Sequence, residues 1–298
     1  MRETLQKIEL LRADILLAVI SPKEELYFRF KARVERIYWS LAPSGIPKNE
    51  IAKLLAEPQK KRLTSSQQKV VCFRKAFDYI IQEWQALQKP VSLQTVLTLH
   101  HLACPGRLRV SQERLQQCLS YFQNSNEHPV IQAALIHSQI LALSPFTEDN
   151  ARLSQLLTYL FLYKEGYDCR GFLVLDEYFR RNFTEYQQIL TQTKERTNQT
   201  IWLEYFAKAV QSNLEKVLKD IKSRKTRMEI PASMFKLNER QKEILMMLES
   251  PEATITNRQA QKLFKVSQIT ASRDLTKLVS LGLLLAHDRG RSVHYTKA

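Results

Sequence analysis

SPFTEDNARLSQ, Ser144 to Gln155, sets an acid, an amide and a guanidinium between two apolar stretches. VIQAALIHSQILAL (130–143) precedes it and LSQLLTYLFLY (153–163) follows it. Apolar residues in both recur at helical spacing, so the stretch joins two core helices. A loop feeding a helix N-terminus presents unpaired N–H groups and the positive end of a dipole. It can bind an anion, with an acid to hold a metal on phosphates and an Arg to pair with phosphate oxygens. It can equally be a plain helix start. In that case Asp149 or Asn150 caps the helix and Arg152 pairs with a nearby acid.

Working outward, the chain reads as mainly α. Residues 1–20 place Leu5, Ile8, Leu11, Ile15 and Val19 on one face, and 23–40 do the same with Tyr27, Phe30, Val34 and Ile37. APSGIPKNE (42–50) breaks the pattern, and Pro47 opens the next helix. Helical patterns follow over 64–87, after Pro90, over 110–123 and over 129–142. Gly166 ends the helix after the motif. EYFRRNFTEYQQILTQT and a long amphipathic helix over 200–222 complete this part, with Trp202, Tyr205, Phe206 and Val210 inward. KSRKTRMEIPASMF (222–235) then loses helical periodicity and reads as a linker.

Past it the pattern is compact. LNERQKEILMMLES takes Asn238 as N-cap, TNRQAQKLF takes Thr256, and SQITASRDLTKLVSLG takes Ser267 and stops at Gly282. LLLAHDRGRSVHYTKA reads as two short strands around a turn at DRGR. Three helices and a hairpin make a winged helix-turn-helix, whose third helix reaches major-groove base edges. The expected DNA-contacting residues are Gln268, Thr270, Ser272, Arg273 and Lys277, with Arg289 and Arg291 on the wing. Lys262 and Lys265 add backbone-directed charge. TASRDLTKLVSLGLLLAHDRGRSVHY resembles the winged-helix domains of bacterial transcription regulators.

Charge agrees. The chain of 298 residues has 45 Lys+Arg against 30 Asp+Glu, a net charge of +15. From Lys222 onward there are 15 basic and 7 acidic residues, so +8 sits in the last quarter. Such an excess points to a polyanionic partner, here double-stranded DNA. The cysteines Cys72, Cys104, Cys118 and Cys169 form no CxxC pair and read as reduced thiols of a cytoplasmic protein. LRADILLAVI is interrupted by Arg12 and Asp14, so neither a membrane span nor a signal peptide is expected. HHLAC (His100, His101, Cys104) has no second ligand cluster, and no metal site is expected. Asp168, Asp176, Glu177 and Tyr178 are expected to tie helices together rather than to catalyse.

HPVIQAALIHSQILALSPFTEDNARLSQLLTYLFLYKEGY (128–167) resembles the Fic (Fido) domain, over roughly residues 60–195. That family's signature is His-x-Phe-x-Asp/Glu-Gly-Asn-Gly-Arg-x-x-Arg, and its activity is transfer of AMP from ATP to a protein hydroxyl. The resemblance assigns Phe146 to the anchoring aromatic and Glu148 to the magnesium-holding acid. Asn150 and Arg152 take the two nucleotide-facing positions. Ser144 stands where the general-base histidine belongs, Asp149 and Ala151 replace the two glycines, and Gln155 replaces the second Arg. A serine accepts no proton near neutral pH. His137 lies two turns upstream, about 10 Å along the axis. The flap that docks targets is expected to be truncated at CPGRLRVSQERLQQ. YWSLAPSGIPKNE, the counterpart of the family's inhibitory helix, has no acid at the expected place.

The expectation is therefore a degenerate Fic-like helical domain over 1–222, a linker over 223–235 and a winged-helix DNA-binding domain over 236–298. Its function is expected to be transcriptional regulation. The helical part would serve dimerisation, sensing or a protein partner. No cofactor is expected, unless the Fic-like site still takes Mg-ATP. Weak or atypical adenylylation is the alternative.

Overall fold

The computed structural model describes residues 1–56, 62–84, 89–103, 106–123, 127–196, 198–223, 236–250, 252–287 and 293–297. The helical part comprises α1 (Arg2–Leu17), α2 (Pro22–Ser40), α3 (Lys48–Ala56), α4 (Ser65–Trp84), α5 (Leu93–Ala103) and α6 (Gln112–Gln123). It continues with α7 (Pro129–Leu143), α8 (Asn150–Lys164), α9 (Asp176–Arg181), α10 (Phe183–Arg196) and α11 (Thr200–Lys222). The C-terminal part holds α12 (Glu239–Met247), β1 (Ile255–Thr256), α13 (Asn257–Phe264), α14 (Gln268–Ser280), β2 (Leu284–His287) and β3 (His294–Lys297). Its sheet is antiparallel in the order β1-β3-β2. The mainly α reading holds. The short strand β1 goes beyond the two-stranded wing expected, because two residues before a helix cap carry no periodicity.

The segment 177–193 is split. Asn182 leaves helical geometry between α9 and α10, and its amide donates to the Tyr178 carbonyl. The linker expected over 223–235 falls, from 224 on, outside the described residues.

The hairpin of α7 and α8 forms the centre. Leu156 to Lys164 is buried on every side. Most of the polar groups it carries therefore find internal partners. Ser154 Oγ donates to the His137 carbonyl (2.9 Å), and Thr158 Oγ1 donates to the Ser154 carbonyl (2.8 Å). His137 Nδ1 lies 2.8 Å from Thr158 Oγ1, and Nε2 lies 2.8 Å from the Tyr186 hydroxyl. Thr158 has given its proton to Ser154, so the network assigns the imidazole proton to Nδ1 and lets Tyr186 donate to Nε2. Burial lowers the His137 pKa to about 3 and keeps the ring neutral.

The acids near 170 act as ties. Asp176 accepts from the Tyr159 hydroxyl (2.6 Å), and burial raises its carboxyl to about 6. Glu177 accepts from Arg181 (2.9 Å) and from Lys216 of α11. Asp168 accepts from the Gly171 amide (3.1 Å), and the Tyr178 ring meets Tyr205 edge-on.

The winged helix is built on its caps. Asn238, Thr256 and Ser267 each accept from the N3 backbone, the first two in full capping boxes with Gln241 and Gln259. Asp274, 5% exposed, joins α14 to the start of α12. It accepts from Asn238 Nδ2 (2.9 Å), Arg240 Nε (2.8 Å) and Gln241 Nε2 (2.7 Å). Gly282 (φ +72) closes α14, with Leu283 N–H bonding the Leu278 carbonyl and Gly282 N–H that of Val279. Ile244, Leu248, Leu275, Leu278 and Leu284 form the module's core. Leu281 is instead buried in the core of the helical domain.

Two outcomes follow from these buried polar groups. Asp274→Ala strands three donors, and thermal or denaturant unfolding should show a loss of about 3 kcal/mol. A change within error would show that α12 holds without them. For His137 the folded pKa lies below the unfolded value of about 6.5. The unfolded chain therefore binds the extra proton, and this contribution to stability is lost as pH falls from about 6.5 toward 3. Asp176, raised, acts with the opposite sign between about 6 and 4. The two are separated by comparison with His137→Asn. Its stability deficit against wild type should shrink between pH 7 and 4, and a pH-independent deficit would refute the neutral buried ring.

Candidate functional site

The motif loop begins where α7 ends. Ser144 is the C-cap of α7 in the left-handed region (φ 44), and its Oγ donates to the Leu141 carbonyl (2.9 Å). The hydroxyl at the general-base position is thus turned back onto its own helix. Phe146 is 2% exposed and stacks on the His100 ring, with centroids 3.5 Å apart and planes 9° from parallel. Gly106 (φ +143) lies against the same ring, where a Cβ would come within 3.2 Å of His100 and of Thr147 Oγ1. Burial lowers the His100 pKa. Cys104 of the same HHLAC stretch lies outside the described residues.

The segment after Gly106 runs antiparallel to the loop. Thr147 N–H bonds the Arg107 carbonyl (2.9 Å), Arg109 N–H bonds the Pro145 carbonyl (2.7 Å), and Leu108 bridges Phe146. This segment enters α6 at Gln112, so one short extended piece lies on the motif where a hairpin flap would stand.

Asn150 and Arg152 are turned inward. Asn150 Oδ1 accepts from the Phe146 amide (2.9 Å), and its Nδ2 donates to the Phe146 carbonyl (2.8 Å). Arg152 Nη1 donates to Asp149 Oδ2 (3.0 Å) and to the Ala103 carbonyl (3.2 Å). Asp149 keeps the left-handed conformation of a glycine turn (φ 58) but makes no side-chain cap bond. Its carboxylate sits on the retained guanidinium instead. Ala151 lies in α8, in ordinary helical geometry. Glu148 is exposed. Gln155 Oε1 accepts from Ser40 Oγ at the end of α2. The segment named as the inhibitory counterpart thus does lie against the motif, through a neutral hydrogen bond. His137, buried in its network, cannot serve as a base.

These residues fit Mg-ATP poorly. The one motif guanidinium is neutralised by Asp149, and the Asn is spent on backbone. Among the described residues no group of three or more His, Cys, Asp or Glu could hold a metal ion. No helix among them is long and apolar enough to cross a membrane.

On α14 the structure sorts the expected DNA contacts. Gln268, Ser272 and Arg273 are exposed along one face. Thr270 is tied back to Ser267, hydroxyl to hydroxyl at 3.0 Å. Lys277 Nζ donates to the Lys236 carbonyl (2.8 Å), on the side toward α12. Lys262 and Lys265 are exposed on and just after α13. Arg289 and Arg291 lie outside the described residues. Sequence reasoning missed Ile269, 65% exposed between Gln268 and Arg273, and Thr276, exposed on the same face. An isoleucine in the second position of a capped helix, off the buried positions Ala271, Leu275 and Leu278, was the available signal.

Residues 74–162 match the model of the Fic/DOC family, and residues 240–296 match that of the DeoR-like helix-turn-helix domain. The protein adenylyltransferase Fic of Drosophila mojavensis is 36% identical over 63 residues, covering 21% of this chain and 12% of that relative. That of Drosophila willistoni is 38% identical over 63 residues, covering 21% and 13%. The chain thus spans about an eighth of the length of the curated relatives it matches. A solved Fic family protein from Desulfovibrio desulfuricans G20 aligns over 99% of this chain and 96% of its own, with TM-score 0.59 and 12% identity. A Fic domain-containing signaling protein from Bacteroides thetaiotaomicron aligns over 74% and 97%, with TM-score 0.60 and 15% identity. At such identity the likeness concerns the fold. The chain therefore carries a Fic/DOC-family domain at residues 74–162, followed by a DeoR-like helix-turn-helix domain at residues 240–296.

Proposed function

We propose that the protein is a DNA-binding transcriptional regulator whose Fic-like domain senses a signal or binds a partner and transfers no nucleotide. The observation that carries it is the exposed face of α14. Gln268, Ile269, Ser272 and Arg273 project from a capped helix, and Lys262 and Lys265 stand nearby on and beside α13. Arg273 suits guanine O6 and N7, Ile269 suits a thymine methyl, and the lysines suit phosphates. The net charge of +15 supplies attraction to any duplex. Against transfer stand the ion pair of Arg152 with Asp149 and the turning of Asn150 and Ser144 onto backbone.

Duplex binding should fall steeply with salt. Lys262→Ala and Lys265→Ala should each reduce the salt slope by about 1 if the lysine meets phosphate. Arg273→Ala and Ile269→Ala should each cost about 1–3 kcal/mol on the preferred site and little on random DNA. Salt-insensitive or absent duplex binding would refute the reading. The transfer reading is tested separately. Mg-ATP in the millimolar range should leave the melting temperature unchanged, because a ligand that binds the folded chain raises it. An AMP label on any protein, abolished by Glu148→Ala, would restore the enzyme.

A further inference from the structure

Tyr163 sits thirteen residues along α8 from Asn150, about 20 Å from the motif loop. There a cleft with about 670 Å³ of unfilled space, part of it open to solvent, separates the helical domain from the winged helix. One wall carries Arg29, Arg33, Arg36 and Arg170 with Tyr163. The other is formed by Val279, Leu284 and Leu285, from the end of α14 and from β2.

The charges in this wall do not balance. Arg33 donates to Asp78 (2.6 Å), and Arg74 stands 3.9 Å from the same carboxylate. Glu25 receives both Arg29 (2.9 Å) and Arg170. Arg36, 2% exposed, spends its hydrogen bonds on the carbonyls of Leu173 and Gly171. Asp168 completes the set. The cleft wall itself carries four guanidiniums, Arg29, Arg33, Arg36 and Arg170, against the carboxylates of Asp78 and Asp168, with Glu25 behind Arg29 and Arg170 and Arg74 behind Asp78. Burial lowers the Arg74 pKa, Asp78 opposes that, and the neighbouring Arg33 adds to it.

The unmet hydrogen bonds have the same sense. Among the residues lining the cleft, Arg29 Nε and the Tyr163 hydroxyl are buried without a hydrogen-bond partner. Both can donate. Burial raises Tyr163 to about 12, so its proton stays on. A salt-bridge cluster that served packing alone would close its donors on its own acceptors. This one offers donors and positive charge to a space bordered by leucines. An acceptor-rich anion with an apolar body satisfies both.

We infer that the cleft is a binding site for a small phosphate-type dianion with a compact apolar body. Its oxygens face Arg29 and Tyr163 and its body lies on Leu285. Bound there, it braces the winged helix against the helical domain and fixes the direction of α14.

Phenyl phosphate titrated calorimetrically into the full chain at fixed ionic strength should bind once per chain. The dissociation constant should be on the order of 0.1 mM. Arg29→Gln should weaken it about tenfold or more, and Tyr163→Phe, which removes only the hydroxyl, about three- to tenfold. Leu285→Glu, on the opposite wall, should weaken it comparably by placing a carboxylate beside the anion. Arg273→Ala should bind as wild type. Absence of saturation at millimolar phenyl phosphate overturns the site, as does binding that Arg29→Gln and Tyr163→Phe leave unchanged. Binding indifferent to Leu285→Glu overturns the bracing. Failure here leaves salt-dependent DNA binding standing, and failure of DNA binding leaves this titration unaffected.

Discussion

The rest of the structure depends on α8 having no solvent face beyond its first turn. From Leu156 to Lys164 every side chain is enclosed, so each polar atom must be matched inside the protein. Thr158 and Ser154 reach α7, and Tyr159 reaches Asp176 and the Leu175 amide. His137, kept neutral by burial, is the shared partner of α8 and Tyr186 of α10. Packing places these helices side by side, and the hydrogen bonds fix their rotation and register. Tyr163 is the member of this set that finds no hydrogen-bond partner, and it lines the cleft between the two parts.

The same constraint governs the motif loop. The N-terminus of α8 emerges beside the C-terminal end of α7, and a tight turn must join them. Asp149 adopts a left-handed conformation that costs an L-residue about 1 kcal/mol. Its ion pair with Arg152, at the partly buried rim, returns an energy of similar order. Asn150 then clamps the loop by bonding both backbone groups of Phe146. The turn takes a left-handed residue at Asp149 without a glycine, and Asn150 and Arg152 hold it together.

Much of this was legible in the sequence, because caps and stops are local. Asn238, Thr256 and Ser267 announce helix starts, and Gly166 and Gly282 announce ends, by chemistry that acts within a few residues. The succession of a Fic-like helical part and a helix-turn-helix module could be read in the same way. Pairings between distant residues could not. Nothing in HHLAC indicates that His100 stacks on Phe146, or that Gly106 must be small to admit the ring. The bond of Gln155 to Ser40 needs α2 in place. Thr270 and Lys277 read as DNA contacts from helix position alone, while their hydrogen bonds turn them toward the module itself.

Leu281 marks how the two parts are joined. It is buried in the helical domain, while Leu278 and Leu284, three residues to either side, are buried in the winged helix. A single turn of chain is thus divided between two cores. Separating the modules would put this leucine into water at a cost of about 2 kcal/mol. Grafted onto a different protein, the winged helix would carry an apolar side chain evolved for another neighbour. Its independence as a portable unit is therefore limited at the end of the helix meant to face DNA, where Leu283 packs on the same helical-domain core and Arg33 donates to the Val279 carbonyl.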